Sequence, residues 1–293
     1  MRFGEDQVVN AVVAGLAGGT VALTFGILVY VLGSFLLMGP HAPRRPFGAA
    51  AREMLREVFF AGVTQPLLPL FYLVGRRMDS FLLARANAGK TPVVFVHGYM
   101  QNRVGFLGLA RALTRRGLGP LYAINYPWFA SLSSNAARLD RFIQGVLAET
   151  GAAAVDLVCH SMGGLVAMEM MRDEARRDSL KVRRLVTIAS PHAGVAWRGP
   201  ILGAGGAGLR RGSKLLEAHA GYTLAVPCLS VFSTHDNIVH PKATSSLAQR
   251  GGRDFEVDGA AHLSILFSPV VSEQVARFLS EDAGAAPPAV PRV

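Results

Sequence analysis

The sequence predicts an α/β protein with a mostly parallel sheet and helices on both faces, preceded by a long apolar helix. Short β-branched apolar runs alternate with helical periodicity from about residue 92 to residue 280. Strands that alternate with helices form parallel sheets covered on both faces. A stretch without any charged residue, from Val8 to Gly39, predicts the apolar helix.

The composition is that of one α/β domain, and it argues against a nucleic-acid partner. The 293 residues are enough for a single domain with a large core. The net charge is +10, but the basic residues are scattered and form no stripe interleaved with aromatic side chains. Cys159 and Cys228 each lie in a β-like apolar run, which predicts buried free thiols and neither a disulfide framework nor a metal site.

The uncharged stretch predicts a membrane anchor over residues 1–40. About 20 apolar residues suffice to span a bilayer, and this stretch is longer. A secretory signal peptide is the alternative, but Glu5 and Asp6 stand where such a peptide is basic, and no small-residue cleavage site follows closely. A buried core helix rarely runs so far without charge. We therefore expect an uncleaved transmembrane helix and a location in a membrane, the bacterial inner membrane.

Residues 41–90 form the predicted membrane-proximal segment, which contains helix and linker. More basic residues follow the anchor than precede it. They are Arg44, Arg45, Arg52 and Arg56. The positive-inside rule would place the C-terminal side in the cytoplasm. A second apolar stretch, Val58–Gly75, could be another span, an interfacial helix or a surface packed on the α/β part. Because two prolines interrupt it, the membrane topology stays open.

The elements of the α/β part alternate over residues 91–282. Strands are predicted at 92–97, 121–125, 155–159, 184–189, 227–233 and 255–257. Helices are predicted at 106–116, 135–150, 165–171, 241–249 and 270–279. The glycine-rich segment 197–224 is irregular and is either a mobile lid or a plain surface excursion. The Ala/Pro-rich tail, residues 283–293, is expected to be disordered.

The turn after the strand 155–159 carries a candidate nucleophile. Ser161 follows the strand and precedes Gly163 and Gly164, after which an apolar helical pattern begins. A serine at such a corner is pushed out of the sheet, and the next N–H lies at a helix N-terminus, where negative charge is favoured. This pattern resembles the G-x-S-x-G nucleophile elbow of α/β-hydrolases. Cys159 replaces the first glycine, and we expect it to be a tolerated small residue.

Two polar residues after later strands, Asp236 and His262, are candidates to activate this serine. An acyl-transfer serine needs a base that takes its proton and a carboxylate that orients the base. Asp258 is an alternative acid, but it lies too close to His262 in the sequence to orient its imidazole from another strand end. Four other histidines are alternative bases: His160, His192, His235 and His240.

Five stretches together resemble a bacterial esterase or lipase of the α/β-hydrolase superfamily. They are Val96–Tyr99, His160–Gly164, Ser190–Gly194, Ser233–Val239 and His262–Leu266. The resemblance implies that Ser161 is the nucleophile, Asp236 the acid and His262 the base. It also implies that the amides of Tyr99 and Met162 form the oxyanion hole.

Four side chains are candidates for the substrate pocket: His97, His192, Trp128 and Phe129. His97 precedes the oxyanion loop and could hold its shape, and His192 lies in a Pro-His stretch like those of lipases. The two aromatic residues belong to the loop that follows the second predicted strand.

The resemblance implies a carboxylesterase or lipase. No metal-ligand spacing stands out in the sequence, so we expect neither a metal nor another cofactor. The partner of the enzyme would be a hydrophobic or lipid-like ester, because the anchor ties the site to a membrane. A lipid acyltransferase or a deacylase would use the same three residues. A catalytically silent membrane scaffold is the alternative from another class, and the complete Ser/Asp/His set argues against it.

Overall fold

The computed structural model describes residues 3–65, 78, 90–172, 181–197, 201 and 203–281. Within these ranges the chain forms a six-stranded parallel sheet with helices on both faces. Two further helices, both within residues 3–65, lie before the sheet in this part of the chain. The predicted fold class is therefore confirmed.

The order of the strands places two loops at a favourable point for a site. The strands are β1 (Val93–Val96), β2 (Leu121–Ile124), β3 (Val155–His160), β4 (Val182–Ile188), β5 (Cys228–Ser233) and β6 (Arg253–Val257). Their order across the sheet is β2-β1-β3-β4-β5-β6, and all neighbours are parallel. The loops after β1 and β3 leave in opposite directions, and such a switch point is where open α/β sheets bind ligands.

Helices cover both faces of the sheet. They are α3 (Leu107–Arg115), α4 (Leu132–Thr150), α5 (Met162–Arg172) and α8 (Pro269–Ser280). Val94 of β1 points into a core that contains residues of α4 and α5. Its neighbour Val93 points into a second core, which contains residues of α3 and α8. This alternation follows the two-residue period of a strand and explains why the strands read as continuous apolar runs.

The N-terminal segment forms α1 (Phe3–Met38) and α2 (Phe47–Thr64), joined through a 3₁₀ turn at Gly39–His41. The stretch Asn10–His41 has a mean hydropathy of 2.3. Among the described residues, it is the one helical stretch long and apolar enough to cross a membrane, a test that a signal sequence would also pass. Only 22% of its apolar window is buried, unlike the core helix of a globular domain.

The second half of α1 contacts the rest of the protein. Ile27 and Val31 form a small buried cluster with Ala61 of α2. Leu263, which follows β6, packs against this cluster. The N-terminal helices therefore lie beside the loop that carries His262.

Two segments differ from their predicted structure. Residues 241–249 form two 3₁₀ turns, Lys242–Ser245 and Ala248–Arg250, and no α-helix. The carboxylate of Asp254 accepts the backbone N–H of Leu247 (2.8 Å) and the hydroxyl of Ser246 (2.5 Å), which turns the backbone away from helical bonding.

The glycine-rich segment contains two short helices, α6 (Gly203–Gly208) and α7 (Lys214–Ala220), where no regular structure was predicted. Glycine is a poor helix former, but tertiary packing overrides propensity here. A Cβ at Gly205 would lie 2.4 Å from the carbonyl oxygen of Trp128, so the bare helix packs directly on that backbone. Most of the stretch 58–75 beyond α2, the linker before Lys90 and the tail 283–293 lie outside the described residues.

Candidate active site

The turn after β3 holds Ser161 in a constrained conformation. Its φ angle is +53°, in the left-handed region that residues other than glycine seldom adopt. Its N–H donates to the carbonyl oxygen of Ile188 (2.9 Å), which ties the turn to β4. Backbone strain of this kind persists only where the surroundings hold it, and it concentrates at functional sites.

Glycines after the serine allow close packing of α5 on the sheet. A Cβ at Gly163 would lie 2.2 Å from the carbonyl oxygen of Val96, and one at Gly164 would lie 2.3 Å from Oγ of Ser190. A larger residue at Gly163 would require a shift of the backbone, and one at Gly164 would require a shift of the Ser190 side chain. The elbow is therefore wedged between β1 and β4, with its serine at the switch point of the sheet.

The structure brings Ser161, His262 and Asp236 into one hydrogen-bonded line. Nε2 of His262 lies 3.0 Å from Oγ of Ser161. Nδ1 of His262 lies 2.9 Å from Oδ2 and 3.1 Å from Oδ1 of Asp236. All three side chains are buried. The geometry allows the imidazole to take a proton from the serine while the carboxylate holds its other nitrogen.

The Asp236 carboxylate is held by the loop that carries it. Its Oδ1 accepts the backbone N–H groups of Ile238 and Val239, each at 2.8 Å. The alternative acid, Asp258, has a side chain that is 84% exposed and lies 2.8 Å from Nδ1 of His235. Asp258 is therefore turned away from His262.

Burial lowers the pKa of His262, but opposing contributions outweigh it. The charge and hydrogen bonds of Asp236, and then the charge of Glu57, favour the imidazolium and bring the net pKa above its ordinary value of 6.5. An imidazole with a raised pKa is a stronger base. The surroundings of His262 therefore favour its protonated form.

The loop after β1 lies against the serine. A Cβ at Gly98 would lie 2.8 Å from Cβ of Ser161, so only glycine allows this approach. The N–H of Gly98 donates to Oε1 of Gln101 (3.0 Å), which closes the loop on itself. Tyr99 follows Gly98, and Met162 is the first residue of α5. Both candidates for the oxyanion hole thus lie next to residues at the elbow. Tyr99 follows Gly98 in the loop after β1, and Met162 follows Ser161 directly.

Two of the four pocket candidates, His97 and His192, form hydrogen bonds with neighbouring residues of the protein. His97 stacks on Tyr126, with ring centroids 4.1 Å apart, and its Nε2 accepts the N–H of Tyr126 (3.3 Å). Burial lowers the pKa of His97 to about 4 and that of His192 to about 3, so both rings are neutral. His192 Nε2 lies 3.1 Å from Oγ1 of Thr187. These contacts brace the loops after β1 and β4.

The two aromatic candidates lie beside Tyr99 of the loop after β1. The Trp128 ring packs edge-on against that of Tyr99, with centroids 4.9 Å apart. Phe129 packs edge-on against Trp128 and is 57% exposed. Trp128 is therefore in contact with Tyr99, one of the two candidates for the oxyanion hole.

Comparison with known proteins agrees with the fold. Residues 93–226 match the model of the alpha/beta hydrolase family. This region belongs to the α/β-hydrolase superfamily. The matched region contains Ser161 and both oxyanion candidates, but it ends before Asp236 and His262. The positions of these two residues in the site therefore rest on the geometry described above.

Solved structures share the fold of this α/β-hydrolase at low sequence identity. Lipase B from Aspergillus fumigatus matches with a TM-score of 0.58 and 18% identity, over 66% of this chain and 53% of that one. Lipase BlEst2 from Bacillus licheniformis, in its mature form, matches with 0.57 and 16%, over 67% and 94%. The lin2722 product of Listeria innocua matches with 0.51 and 16%, over 66% and 95%. The match thus spans about half of the Aspergillus enzyme, and these likenesses concern the fold alone.

Several residues of the site were not predicted from the sequence of this α/β-hydrolase. The N–H of His262 donates to Oδ1 of Asn237 (2.9 Å), and Nε2 of His160 donates to the carbonyl oxygen of His262 (2.9 Å). The Glu57 carboxylate of α2 accepts the N–H groups of Leu263 and Ser264. Of these residues, Glu57 left the one signal in the sequence, because it is an acidic residue on the apolar face of a helix.

A metal centre has no support in the part of the chain that the structure describes. No three His, Cys, Asp or Glu side chains lie close enough together there to hold a metal ion. The two cysteines are buried and free. Burial raises the pKa of both thiols, which disfavours the reactive thiolate.

Proposed function

We propose that this α/β-hydrolase is a membrane-anchored serine hydrolase that cleaves carboxylic esters of hydrophobic, lipid-like molecules. The observation that carries the proposal is the hydrogen-bonded line from Asp236 through His262 to Ser161. Its geometry meets the requirement of acyl transfer, a nucleophile and a base in contact and the base oriented by a third group.

The reaction would proceed in two halves through an acyl-enzyme. His262 takes the proton of the Ser161 hydroxyl while Oγ attacks the ester carbonyl carbon. His262 then passes this proton to the alkoxide oxygen of the leaving alcohol as the carbon–oxygen bond breaks. A water molecule attacks the acyl-serine, giving its proton to His262. The attack of water forms a tetrahedral intermediate. Its collapse releases the carboxylic acid and returns that proton from His262 to Ser161.

The oxyanion that forms in each half needs hydrogen-bond donors. The backbone amides of Tyr99 and Met162 are the proposed donors, because they follow Gly98 and Ser161 directly. Met162 also begins α5, where the helix dipole favours negative charge. One such donor is typically worth about 10²–10³ in rate.

The anchor supports an ester that resides in or near a lipid phase. In this proposal residues 1–40 anchor the protein, residues 41–90 lie at the membrane surface, and residues 91–282 carry the chemistry. Leu55 and Phe59 of α2 are 66% and 62% exposed and lie one turn apart on one face of the helix. Arg52 and Arg56 are also exposed on α2. An exposed apolar face beside arginines is typical of a helix at a lipid interface.

The test of the activity uses the full-length protein purified in detergent. We expect hydrolysis of p-nitrophenyl esters and a loss of at least about 10³-fold in kcat/KM for Ser161→Ala. Ser190→Ala is the matched control, because Ser190 is equally buried and close to the elbow, and its hydroxyl has no hydrogen-bond partner among the described residues. Unchanged turnover in Ser161→Ala would exclude the assignment.

The same assay distinguishes the proposed substrate class from others. A series of acyl chains from acetate to palmitate should give rising kcat/KM with chain length, because apolar area is buried on binding. A preference for acetate would contradict the lipid-like substrate and leave ester hydrolysis intact. Faster release of p-nitrophenol on addition of a lipid alcohol, with a new ester as product, would indicate acyl transfer in place of hydrolysis.

A further inference from the structure

Glu57 of α2 binds the backbone beside the proposed catalytic base. Its Oε1 accepts the N–H of Leu263 at 2.8 Å, and its Oε2 accepts the N–H of Ser264 at 2.9 Å. The side chain is buried, with 2% of the residue exposed. A buried carboxylate whose two oxygens each accept a backbone N–H is rigidly held, and so is the backbone that it binds.

A second bridge reaches the same loop from α1. The hydroxyl of Ser34 accepts a hydrogen bond from Nδ2 of Asn237 (2.7 Å), and Oδ1 of Asn237 accepts the N–H of His262 (2.9 Å). Ser34 is buried in the second half of α1. The backbone N–H groups of residues 262 to 264 are therefore all held by the two N-terminal helices. Glu57 binds those of residues 263 and 264 directly, and Ser34 holds that of residue 262 through Asn237.

Apolar contacts accompany these hydrogen bonds. Leu263 packs against the cluster that Ile27, Val31 and Ala61 form. The ring of Phe60 stacks on that of Phe267, with centroids 3.9 Å apart. Phe267 closes the 3₁₀ turn that starts at Ser264. Both ends of the segment from Leu263 to Phe267 therefore contact the N-terminal helices.

We propose that Glu57 is a positioning residue for His262 and that α1 and α2 thereby complete the active site of this enzyme. The inference rests on the proposed function, since it assigns His262 as the base. Glu57 touches no reacting atom. It acts through the backbone of Leu263 and Ser264, and its loss lets the imidazole move relative to Ser161. A displacement of about 1 Å at such a point can cost about 10²-fold in rate.

The charge of Glu57 supplies a second, separable effect. Burial raises the pKa of Glu57 to about 7, although the hydrogen bonds from Leu263 and Ser264 and the charge of His262 oppose the rise. The titratable groups that interact electrostatically with Glu57 are His262, Asp236 and Tyr30 of α1. The ionised carboxylate in turn raises the pKa of His262, after Asp236. Removal of its charge should therefore make His262 lose its proton at lower pH.

The test compares Glu57→Gln with Glu53→Gln in the full-length protein in detergent. Glu53 lies one turn earlier on α2, is also buried, and pairs with Arg56 and not with the His262 loop. On p-nitrophenyl butyrate, we expect kcat of Glu57→Gln to fall about 10- to 100-fold with KM unchanged. The acid limb of its kcat/KM profile should move to lower pH. Glu53→Gln should match the wild type in both readouts.

The outcomes separate this inference from the proposed function. A folded Glu57→Gln with wild-type kcat and an unshifted acid limb would overturn the inference, even if Ser161→Ala is inactive. An active Ser161→Ala would instead overturn the proposed function. If Glu57→Gln does not fold, Ser34→Ala tests the second bridge, since it removes only one hydroxyl. There kcat should fall severalfold, and an unchanged kcat would count against the inference.

Discussion

Ser161 and His262 are separated by 101 positions in the chain, yet Oγ of the serine lies 3.0 Å from Nε2 of the histidine. Each follows a strand of the same parallel sheet, and the carboxyl ends of parallel strands meet at one edge. The contact depends on the turn after β3, which holds the serine at a φ of +53°. It also depends on the Asp236 carboxylate, which holds the other nitrogen of the ring. Each support of this contact can be tested separately.

The acid is tested by substitution of Asp236 with asparagine. The amide cannot stabilise the imidazolium and favours the wrong tautomer of His262, so kcat should fall by about 10³–10⁴. Asp258→Asn is the matched control, because Asp258 is exposed and paired with His235. Steady-state kinetics on one ester measure both variants. A loss in Asp258→Asn alone would assign the acid to that aspartate, and an equal loss in the two variants would contradict the specific assignment to Asp236.

The base is tested by the pH dependence of kcat/KM. His262 must be neutral to accept the serine proton, and its net pKa lies above 6.5 because Asp236 and Glu57 outweigh the effect of burial. Activity should therefore fall as pH decreases, with the midpoint of the acid limb above pH 6.5. Stopped assays with a neutral ester measure this profile. A midpoint below pH 6.5 would contradict the electrostatic description of the site.

The elbow is tested by Gly163→Ala. The added Cβ would lie 2.2 Å from the backbone carbonyl oxygen of Val96, which cannot move without β1. We expect a loss of about 1–3 kcal/mol in the free energy of unfolding and a lower kcat. Gly221→Ala is the control, since its Cβ would meet nothing within 4 Å and its φ is −84°. Urea unfolding followed by circular dichroism compares the two, and equal stability would refute the close packing described for Gly163.

The burial of Glu57 predicts a stability that depends on pH. Its pKa rises from 4.5 to about 7 on folding, so between these values the folded state binds more protons than the unfolded state. The stabilisation linked to Glu57 is therefore fully present below about pH 4.5 and lost as pH rises through about 7. The Tm of the wild type relative to Glu57→Gln should fall over this range. A difference in Tm that is constant or grows with pH would contradict the raised pKa.

The sequence predicted the sheet and the members of the candidate triad because each leaves a local pattern. Apolar β-branched runs mark the strands, and Ser161, Asp236 and His262 each follow one of them in the expected order. The three side chains lie within hydrogen-bond distance, while their catalytic roles stay predictions. The helix predicted over 241–249 was wrong, because Asp254 takes the N–H of Leu247 from outside the segment.

The contribution of the N-terminal helices could not be predicted from the sequence. Glu57 binds backbone N–H groups of residues more than 200 positions away. Almost every residue type has a backbone N–H, so the sequence does not show which of them is bound. The same holds for Asn237 and the N–H of His262. The helix over Gly203–Gly208 was not predicted, because glycine has a low helix propensity. Its glycines instead allow close contact with the backbone at Trp128.

The most direct test of the central claim is the site at which a fluorophosphonate probe reacts. Such a probe bonds covalently to a serine only where a base and an oxyanion hole activate it. The full-length protein in detergent should carry one adduct, located by peptide mass spectrometry on Ser161. Labelling should disappear in Ser161→Ala and persist in Ser190→Ala. An adduct on another residue, or no adduct on the folded protein, would contradict the assignment of this chain as a serine hydrolase.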